Sequence, residues 1–351
     1  MTPLGRLLAE RIATEGPLTV ADYMAACLLD PRHGYYATRD PLGRAGDFIT
    51  APEVSQVFGE CLALSLAQAW YDQGCPPRVI LAELGPGRGT LMMDVLRTLR
   101  KLGALGPERE VHLVEASPTL RAEQARRVEG ATWHAGVETL PEGPLYLLAN
   151  EFLDALPVRQ LMRHRAGWAE RVVGLQGGRL AWGLAPPGPV AALLHRLDDT
   201  AEGEVVEVCP ALSAIAGEVG RRVAAHGGVA LFIDYGGWRS RGDTLQAVRA
   251  HAYADPLDAP GEADLTAHVD FEALTAAVAP ARATAMRPQG EVLERLGIGL
   301  RAEVLAQGEG GRRREWHLAA HRRLTHPDEM GTLFKVMGVH PPSAPPPPGL
   351  A

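Results

Sequence analysis

The amino-acid sequence predicts an α/β protein built on a nucleotide-binding type of sheet, and two patterns carry that prediction. An apolar run, 79–84, ends in three alternating glycines and is followed at once by a helical pattern over 91–99. Further short apolar runs at 111–114, 145–149 and 228–233 also end in polar residues. Buried runs of this length that alternate with helical periodicity are typical of βαβ units.

The N-terminal region, residues 1–75, is predicted to be helical. Apolar residues with helical spacing occur between Leu4 and Leu28, with a break at Gly16-Pro17, and again from Pro52 to about Gln73. The intervening segment, 30–52, is rich in glycine, proline and charged residues. Long polar segments of this kind are often lids or binding loops, so we expect this one on the substrate side.

Residues 76–340 are expected to form the core, with two insertions. The predicted core strands are 79–84, 111–115, 131–135, 145–149, 228–236, 283–287 and 333–338. Alternating residues between short turns indicate an antiparallel β-meander in the insertion at about 159–203, whereas the insertion at about 237–268 has no regular pattern. The proline-rich tail, 341–351, is predicted to be disordered.

Composition narrows the class of protein. The chain has 351 residues, is 46% hydrophobic and carries a formal net charge of -7, which does not suggest a broad nucleic-acid-binding surface. None of its four cysteines forms a C-x-x-C pair, so no metal site is expected. The start of the chain lacks a signal-peptide pattern, and no apolar run is long enough to span a membrane, so we expect a cytoplasmic protein without membrane insertion.

The glycine-rich turn indicates which nucleotide the sheet binds. Its spacing is G-x-G-x-G, unlike the G-x-G-x-x-G of dinucleotide sites, and no P-loop lysine follows it. Together with the acid two residues earlier, the pattern E-x-G-x-G-x-G resembles motif I of class I S-adenosylmethionine methyltransferases, whose cofactor has no phosphate. A plain tight turn is the alternative. The candidate cofactor residues here are Glu83, Gly85, Pro86, Gly87, Gly89 and Thr90.

Residues at the ends of the next strands extend this candidate site. Glu115 ends the second predicted strand, where a carboxylate can accept both ribose hydroxyls, although a solvated strand-end acid is the alternative. Ser117 begins the following helix as its N-cap and is included with the cofactor residues. Asn150 ends the strand 145–149 and could bond the amino-acid part of the cofactor or serve as a turn residue. Glu151 and Asp154 lie where a substrate would approach, because ligands bind beyond the carboxyl ends of such strands.

Longer segments identify a family. The chain resembles the MidA-like methyltransferases, which include a mitochondrial complex I assembly factor, in segments spread over nearly its whole length: GDFITAPEVSQVFGE (46–60), ELGPGRGTLM (83–92), VEASPTLR (114–121), ANEFLDALPVRQ (149–160), IDYG (233–236), DTLQA (243–247), DPLDAPGEADLTAHVDF (255–271) and MGTLFKVM (330–337). The resemblance implies a class I Rossmann-like seven-stranded core and S-adenosyl-L-methionine as cofactor. It also implies a protein substrate, methylated on arginine, in a subunit of NADH dehydrogenase.

An arginine acceptor suggests roles for the nearby acids. Two carboxylates could bind a guanidinium bidentately and turn one nitrogen toward the methyl group, and Glu151 and Asp154 are the candidates. Asp154 could instead cap a helical turn. Asp47 and Glu53 could also line the pocket, although Glu53 could simply stabilise a helix N-terminus. His268 could orient the acceptor or take a proton, although a lone histidine more often has an ordinary packing role.

Other functions remain open on sequence grounds. The long loops and the meander could form a docking face of an assembly chaperone that binds a respiratory subunit without catalysis. Retention of Glu83, the glycines and Glu115 favours a working cofactor site instead. A small-molecule methyltransferase is compatible with the same fold, because fold does not fix substrate. The glycine spacing disfavours a nicotinamide-dependent oxidoreductase.

Overall fold

The computed structural model describes residues 1–38, 50–307 and 310–351. The helices, in chain order, are α1 (Pro3–Glu15), α2 (Val20–Leu29), α3 (Tyr35–Thr38), α4 (Ala51–Val54), α5 (Gln56–Asp72), α6 (Thr90–Leu102), α7 (Pro118–Gln124), α8 (Pro210–His226), α9 (Phe271–Ala277), α10 (Gln289–Arg295), α11 (Ile298–Gln307), α12 (Arg312–Thr325) and α13 (Met330–Leu333). Short 3-10 helices cover Val137–Thr139 and Ala191–Arg196.

The strands range from two to ten residues in length. In chain order they are β1 (Leu18–Thr19), β2 (Arg78–Leu84), β3 (Glu108–Val114), β4 (Thr132–His134), β5 (Leu145–Asn150), β6 (Arg159–His164), β7 (Gly167–Gln176), β8 (Arg179–Leu184), β9 (Val205–Val208), β10 (Gly228–Gly237), β11 (Gln246–Arg249), β12 (Ala252–Ala254), β13 (Asp264–Thr266), β14 (Val269–Asp270), β15 (Arg282–Ala283), β16 (Arg287–Pro288) and β17 (Phe334–His340).

A central sheet with strand order β15-β17-β10-β5-β2-β3-β4 organises the molecule. The strands from β10 to β4 are parallel, whereas β17 is antiparallel to both of its neighbours on this path. Short strands β14 and β16 add to β10 and β17. The predicted α/β fold with a seven-stranded path is confirmed.

Both faces of the central sheet are covered, which explains the uninterrupted apolar run of β2. Leu81 points into a core shared with α5, α6 and α10–α12, whereas Ile80 and Ala82 point into a core shared with α8 and α9. Every residue of β2 after Arg78 is buried. A parallel strand buried on both faces reads as a continuous apolar segment rather than an alternating one.

Helices α1–α3 pack on the two insertions instead of on the central sheet. Strands β6, β7 and β8 of the first insertion form a sheet with β1 and β9, in the order β1-β7-β6-β9 with β8 beside β7. Strands β11–β13 of the second insertion form a sheet in the order β12-β11-β13. Leu8 and Met24 of α1 and α2 share one apolar cluster with Val173 and Leu265. We call α1–α3 with these two sheets the accessory layer. The second insertion, expected to be irregular, therefore contains strands.

The proline-rich tail is ordered, contrary to the sequence expectation. Leu350 is 3% exposed and belongs to the same core as α5 and α10. The hydroxyl of Ser65 donates to the carbonyl oxygen of Pro348 at 2.9 Å. Prolines prevent regular helix or strand but reduce the entropy of the unfolded chain, and Leu350 supplies an apolar anchor. The proline content of this segment was therefore a poor guide to whether it is ordered.

Two further differences concern helices and strands. The predicted helix from Pro52 to Gln73 is broken at Ser55, whose hydroxyl oxygen accepts from the backbone N–H of Val57 at 3.2 Å and begins α5. The predicted strand 283–287 consists of two separate pairs with β17. Among the described residues, no helix combines the length and the apolarity needed to cross a membrane.

Candidate active site

A cavity of about 460 Å³ lies at the carboxyl ends of the parallel strands. Its floor is formed by residues that follow β2, β3, β4 and β5, and part of its wall comes from the accessory layer through Leu28, Leu29 and Tyr36. The hydroxyl of Tyr36 donates to the carboxylate of Asp264 at 2.9 Å, which ties α3 to β13. The cavity therefore lies between the central sheet and the accessory layer.

The glycine turn after β2 forms one edge of the cavity. Gly85, Gly87 and Gly89 have φ of 60°, 53° and 80°, a region that glycine adopts without the penalty of a Cβ. A Cβ on Gly85 would also lie 2.8 Å from Cδ2 of Phe152. Gly85, Pro86, Gly87 and Thr90 line the cavity, whereas Gly89 is the N-cap of α6 behind it.

Glu83 is a buried acid in the floor of the cavity. It is 3% exposed, and burial raises the pKa of its carboxyl to about 8. Its Oε2 atom has no hydrogen-bond partner among the described residues. A buried acceptor without a partner is costly, and a cationic donor would satisfy it and favour the charged form. The ammonium group of S-adenosyl-L-methionine has that chemistry.

Glu115 is held at the end of β3 with acceptor capacity to spare. Its Oε1 accepts from the backbone N–H of Ser117 at 2.8 Å, and its Oε2 accepts from Nε2 of Gln124 at 3.1 Å. Each carboxylate oxygen has a second lone pair, so the group can still accept two hydroxyl donors. Ser117 does not line the cavity; its hydroxyl caps α7 and its backbone fixes Glu115.

Further lining residues were not predicted from the sequence. Ala135, Gly136 and Glu138 line the cavity after β4. Gln124 lies outside the lining and donates to the carbonyl oxygen of Gly87 at 2.7 Å, which joins α7 to the glycine turn. The rule that ligands bind beyond the carboxyl ends of strands applies to β4 as it does to β3, and would have found the first group. No local pattern marks Gln124.

Glu151 projects into the cavity from a strained position after β5. Its φ is 51°, which is unusual for a residue with a Cβ and occurs often at functional sites. Its Oε1 accepts from the backbone N–H of Ala51 at 3.0 Å and from Nδ2 of Asn150 at 3.1 Å. Burial raises its pKa to about 7, and the charge of Asp154 acts in the same direction. Asn150 also lines the cavity, and its Oδ1 has no partner in the described part of the chain.

Asp154 lies behind Glu151 and does not line the cavity. Its buried carboxyl accepts a hydrogen bond from the side chain of Tyr235, and burial raises its pKa to about 6. The predicted pair of acids that both contact the acceptor is therefore not present in this geometry. The reason is the tight turn after Glu151, which directs the next acid toward β10.

That turn is held by Asp234 at the carboxyl side of β10. Its Oδ2 accepts from the backbone N–H groups of Phe152, Leu153 and Asp154 at 3.2, 2.9 and 3.2 Å. A carboxylate that accepts several N–H groups fixes the local backbone, which stabilises the unusual φ of Glu151. The sequence showed Asp234 only as a strand-end acid, because its partners are about eighty residues away.

The remaining predicted catalytic residues have different places. His268 lies outside the lining of the cavity, contrary to its predicted contact with the acceptor; its ring packs edge-on against Tyr235 at 5.5 Å, and burial lowers its pKa. Asp47 lies outside the described residues. Glu53 does line the cavity, and its Oε1 accepts from the hydroxyl of Thr90 at 2.5 Å.

The cavity as a whole is acidic. Its lining contains the carboxyl groups of Glu53, Glu83, Glu115, Glu138 and Glu151. The guanidinium of Arg88 also lines the cavity, so acidic side chains outnumber basic ones five to one, and a cleft with such an excess of acids favours cationic ligands. Both a sulfonium cofactor and a cationic acceptor fit that requirement.

Comparison with known proteins identifies the family of this chain. Residues 61–289 match the model of Methyltransf_28, a family of S-adenosyl-L-methionine-dependent methyltransferases. The chain belongs to this family. A crystal structure of a Burkholderia thailandensis protein, described as a "likely methyl transferase" and bound to S-adenosyl-homocysteine, has a TM-score of 0.83 and 30% identity, and covers 99% of this chain and 92% of that one. Its native counterpart has a TM-score of 0.81.

The similarity to named relatives covers nearly the whole length of this methyltransferase. "Protein arginine methyltransferase NDUFAF7, mitochondrial" of Xenopus tropicalis is 36% identical over 95% of this chain and 84% of that protein. The Homo sapiens protein of the same name is also 36% identical, over 97% and 84%. S-adenosyl-L-methionine is thus the cofactor, and the predicted enzyme class and family are confirmed. The expected cytoplasmic location is contradicted, because these relatives are named mitochondrial proteins.

Proposed function

We propose that this methyltransferase transfers a methyl group to a guanidinium nitrogen of an arginine in a protein. The position of Glu151 carries the proposal: a buried carboxylate, oriented by two hydrogen bonds, enters the same acidic cavity as the glycine turn. The names of the most similar relatives, which call them protein arginine methyltransferases, support the same acceptor.

An arginine acceptor must be activated because its guanidinium stays protonated at neutral pH, and a charged guanidinium is a poor nucleophile. When bound, S-adenosyl-L-methionine supplies an electrophilic methyl group. Glu151 would bind the guanidinium through its charged N–H groups and turn one nitrogen toward the methyl group. With a pKa near 7, the carboxyl of Glu151 can also take the proton that this nitrogen must lose.

Glu53 is the second acid that we assign to the acceptor side. It lies two residues after Ala51, whose N–H group fixes Glu151, and both carboxyl groups line the cavity. The short helix α4 would therefore position both acids. Asp154 acts through its negative charge on Glu151 and not by contact with the acceptor.

As the protein substrate, we propose a subunit of respiratory complex I, NADH dehydrogenase. The support is the family resemblance in the segments quoted above, since the geometry of the cavity selects a cationic side chain but not a particular protein. A small-molecule acceptor with a cationic nitrogen is the competing assignment, and the following experiment separates the two.

The test is mass spectrometry of the proteome from cells with and without this protein. We expect one or a few arginines to lose methylation, with at least one in a complex I subunit, and the loss to be restored by the purified protein with S-adenosyl-L-methionine. The Glu151→Gln variant is the matched control, and we expect that it does not restore arginine methylation. Unchanged arginine methylation, or methylation restricted to small molecules, would refute the proposal.

A further inference from the structure

Helix α12 presents a basic strip on the surface of an otherwise acidic protein. Arg312, Trp316 and Arg323 are exposed and are four and seven residues apart, so they share one side of the helix. We call these three residues the α12 strip. Within the described ranges, neither Arg312 nor Arg323 has a carboxylate at ion-pair distance, although most other arginines of the protein are paired. The net charge of the chain is -7.

The strip begins close to the cavity. Ala320 and Leu324 of α12 belong to the same apolar cluster as Ala51 and Val54 of α4. The N-cap of that short helix, residue 50, and its residues 52 and 53 line the cavity. The charge of Arg323, one residue before Leu324, opposes the effect of burial on the pKa of Glu151. Arg323 is therefore at the cavity end of the strip, and Arg312 is about 16 Å further along the helix.

Charges of opposite sign thus lie side by side. The cavity lining has five glutamates and one arginine and therefore favours a cation. The adjacent strip has two guanidinium groups with no ion-pair partner among the described residues, and it therefore favours anions. An extended peptide rises about 3.3 Å per residue, so about five residues would span the strip. A segment that placed an arginine in the cavity could place acidic side chains on Arg323 and Arg312.

We propose that the α12 strip binds acidic residues next to the methylated arginine, and so determines which arginines are substrates. The inference rests on the proposed arginine-methyltransferase function. A peptide is favoured over a nucleic acid or an anionic membrane, because the net charge and the acidic cavity beside the strip repel an extended polyanion.

The experiment uses the full-length protein and three arginine peptides of equal length. They differ only in the residues beside the arginine, over a stretch longer than the five residues that span the strip, and these residues are Asp/Glu, Asn/Gln or Lys. Binding is measured by fluorescence anisotropy at low ionic strength and methyl transfer is measured as kcat/KM. The variants are Arg312→Glu and Arg312→Lys, with Arg282→Glu as control. Arg282 is also exposed, and it pairs with His340 at the amino ends of the parallel strands, away from the cavity at their carboxyl ends.

Wild type should bind the acidic peptide tightest, and Arg312→Glu should weaken that binding about fivefold, as expected for one exposed charge. Arg312→Lys and Arg282→Glu should change it less than twofold. Equal binding of all peptides, an unchanged preference in Arg312→Glu, or tighter binding of polyuridylate or anionic vesicles than of the acidic peptide would overturn the proposal. If acidic peptides bind as expected but none is methylated, the binding role of the α12 strip is supported and the proposed function is refuted. If all peptides are methylated and bound equally, the proposed function is supported and the binding role of the strip is refuted.

Discussion

The carboxylate of Glu151 accepts a hydrogen bond from the backbone N–H of Ala51 at 3.0 Å, which joins the end of β5 to the start of α4. This contact brings together two segments one hundred residues apart, and it determines where an acceptor would meet an acid. Because α4 also packs against α12, the orientation of Glu151 depends on the C-terminal helices as well as on the sheet.

Replacement of Glu151 by glutamine should separate binding from turnover. The amide keeps the shape of the side chain but cannot bind a guanidinium through charge or take its proton. We expect kcat to fall at least about 100-fold, the lower range for loss of a general base, while the affinity for S-adenosyl-L-methionine measured by calorimetry stays within about threefold. Glu138→Gln, at the far end of the cavity, should instead weaken cofactor affinity and leave kcat at saturation nearly unchanged. Full turnover by Glu151→Gln would exclude the assigned role.

The rate of methyl transfer should rise with pH through about 7. Burial raises the pKa of Glu151 to about 7, so the carboxyl is increasingly protonated below that pH and cannot bind a guanidinium as an anion. Because the carboxyl is needed in its charged form, activity is lost as the pH falls through the pKa. A kcat profile measured from pH 5.5 to 9 should therefore have an acidic limb, and Glu151→Gln should abolish it. A wild-type profile that is flat from pH 6 to 8 would contradict this role.

Valine at Gly87 should prevent cofactor binding. The φ of 53° is unfavourable for a β-branched residue, and the new side chain would enter the cavity. We expect the dissociation constant for S-adenosyl-L-methionine to rise more than about 100-fold, which corresponds to roughly 3 kcal/mol. The control is Gly177→Val, with φ of 58° in an exposed turn where a Cβ meets no atom within 4 Å. Tight binding by Gly87→Val would mean that the cofactor lies elsewhere.

Truncation of Leu350 should destabilise the fold although it is the penultimate residue. Its side chain is 3% exposed and packs in the core that covers one face of the central sheet. Leu350→Ala should lower the free energy of unfolding by about 2 kcal/mol, near the lower end of buried leucine truncations. Leu184→Ala, at a leucine that is 53% exposed, should cost less than about 0.5 kcal/mol in the same denaturant titration. Equal stabilities of the two variants would indicate that the tail is detached in solution.

The sequence predicted the sheet, and most of the candidate cofactor residues line one cavity at its edge, because the signals for both are local. Gly85 and Gly87 are two and four residues from Glu83, and Glu115 ends the neighbouring strand, so one rule about strand ends finds them all. The acceptor side depends on contacts between distant segments. The direction of the Asp154 side chain is determined by Asp234, and the place of His268 by Tyr235, and no spacing in the chain reveals such pairs.

The prediction of a disordered tail was wrong for a different physical reason. Proline content indicates that residues 341–351 do not form a helix or strand, which is what the structure has. It does not indicate whether one apolar side chain finds a core to enter. Leu350 does, and one such anchor is enough to order a segment that loses little entropy on folding.

The position of the cavity between the central sheet and the accessory layer has a consequence for redesign. The residues that receive the methyl donor are supplied by the sheet, whereas Leu28, Leu29 and Tyr36 come from a separately packed layer with its own apolar cluster. Exchange of the accessory layer between homologues would therefore be a way to change which acceptor is methylated without altering the binding site of the methyl donor. Chimaeras joined outside residues 78–150 would test how freely acceptor choice can be recombined.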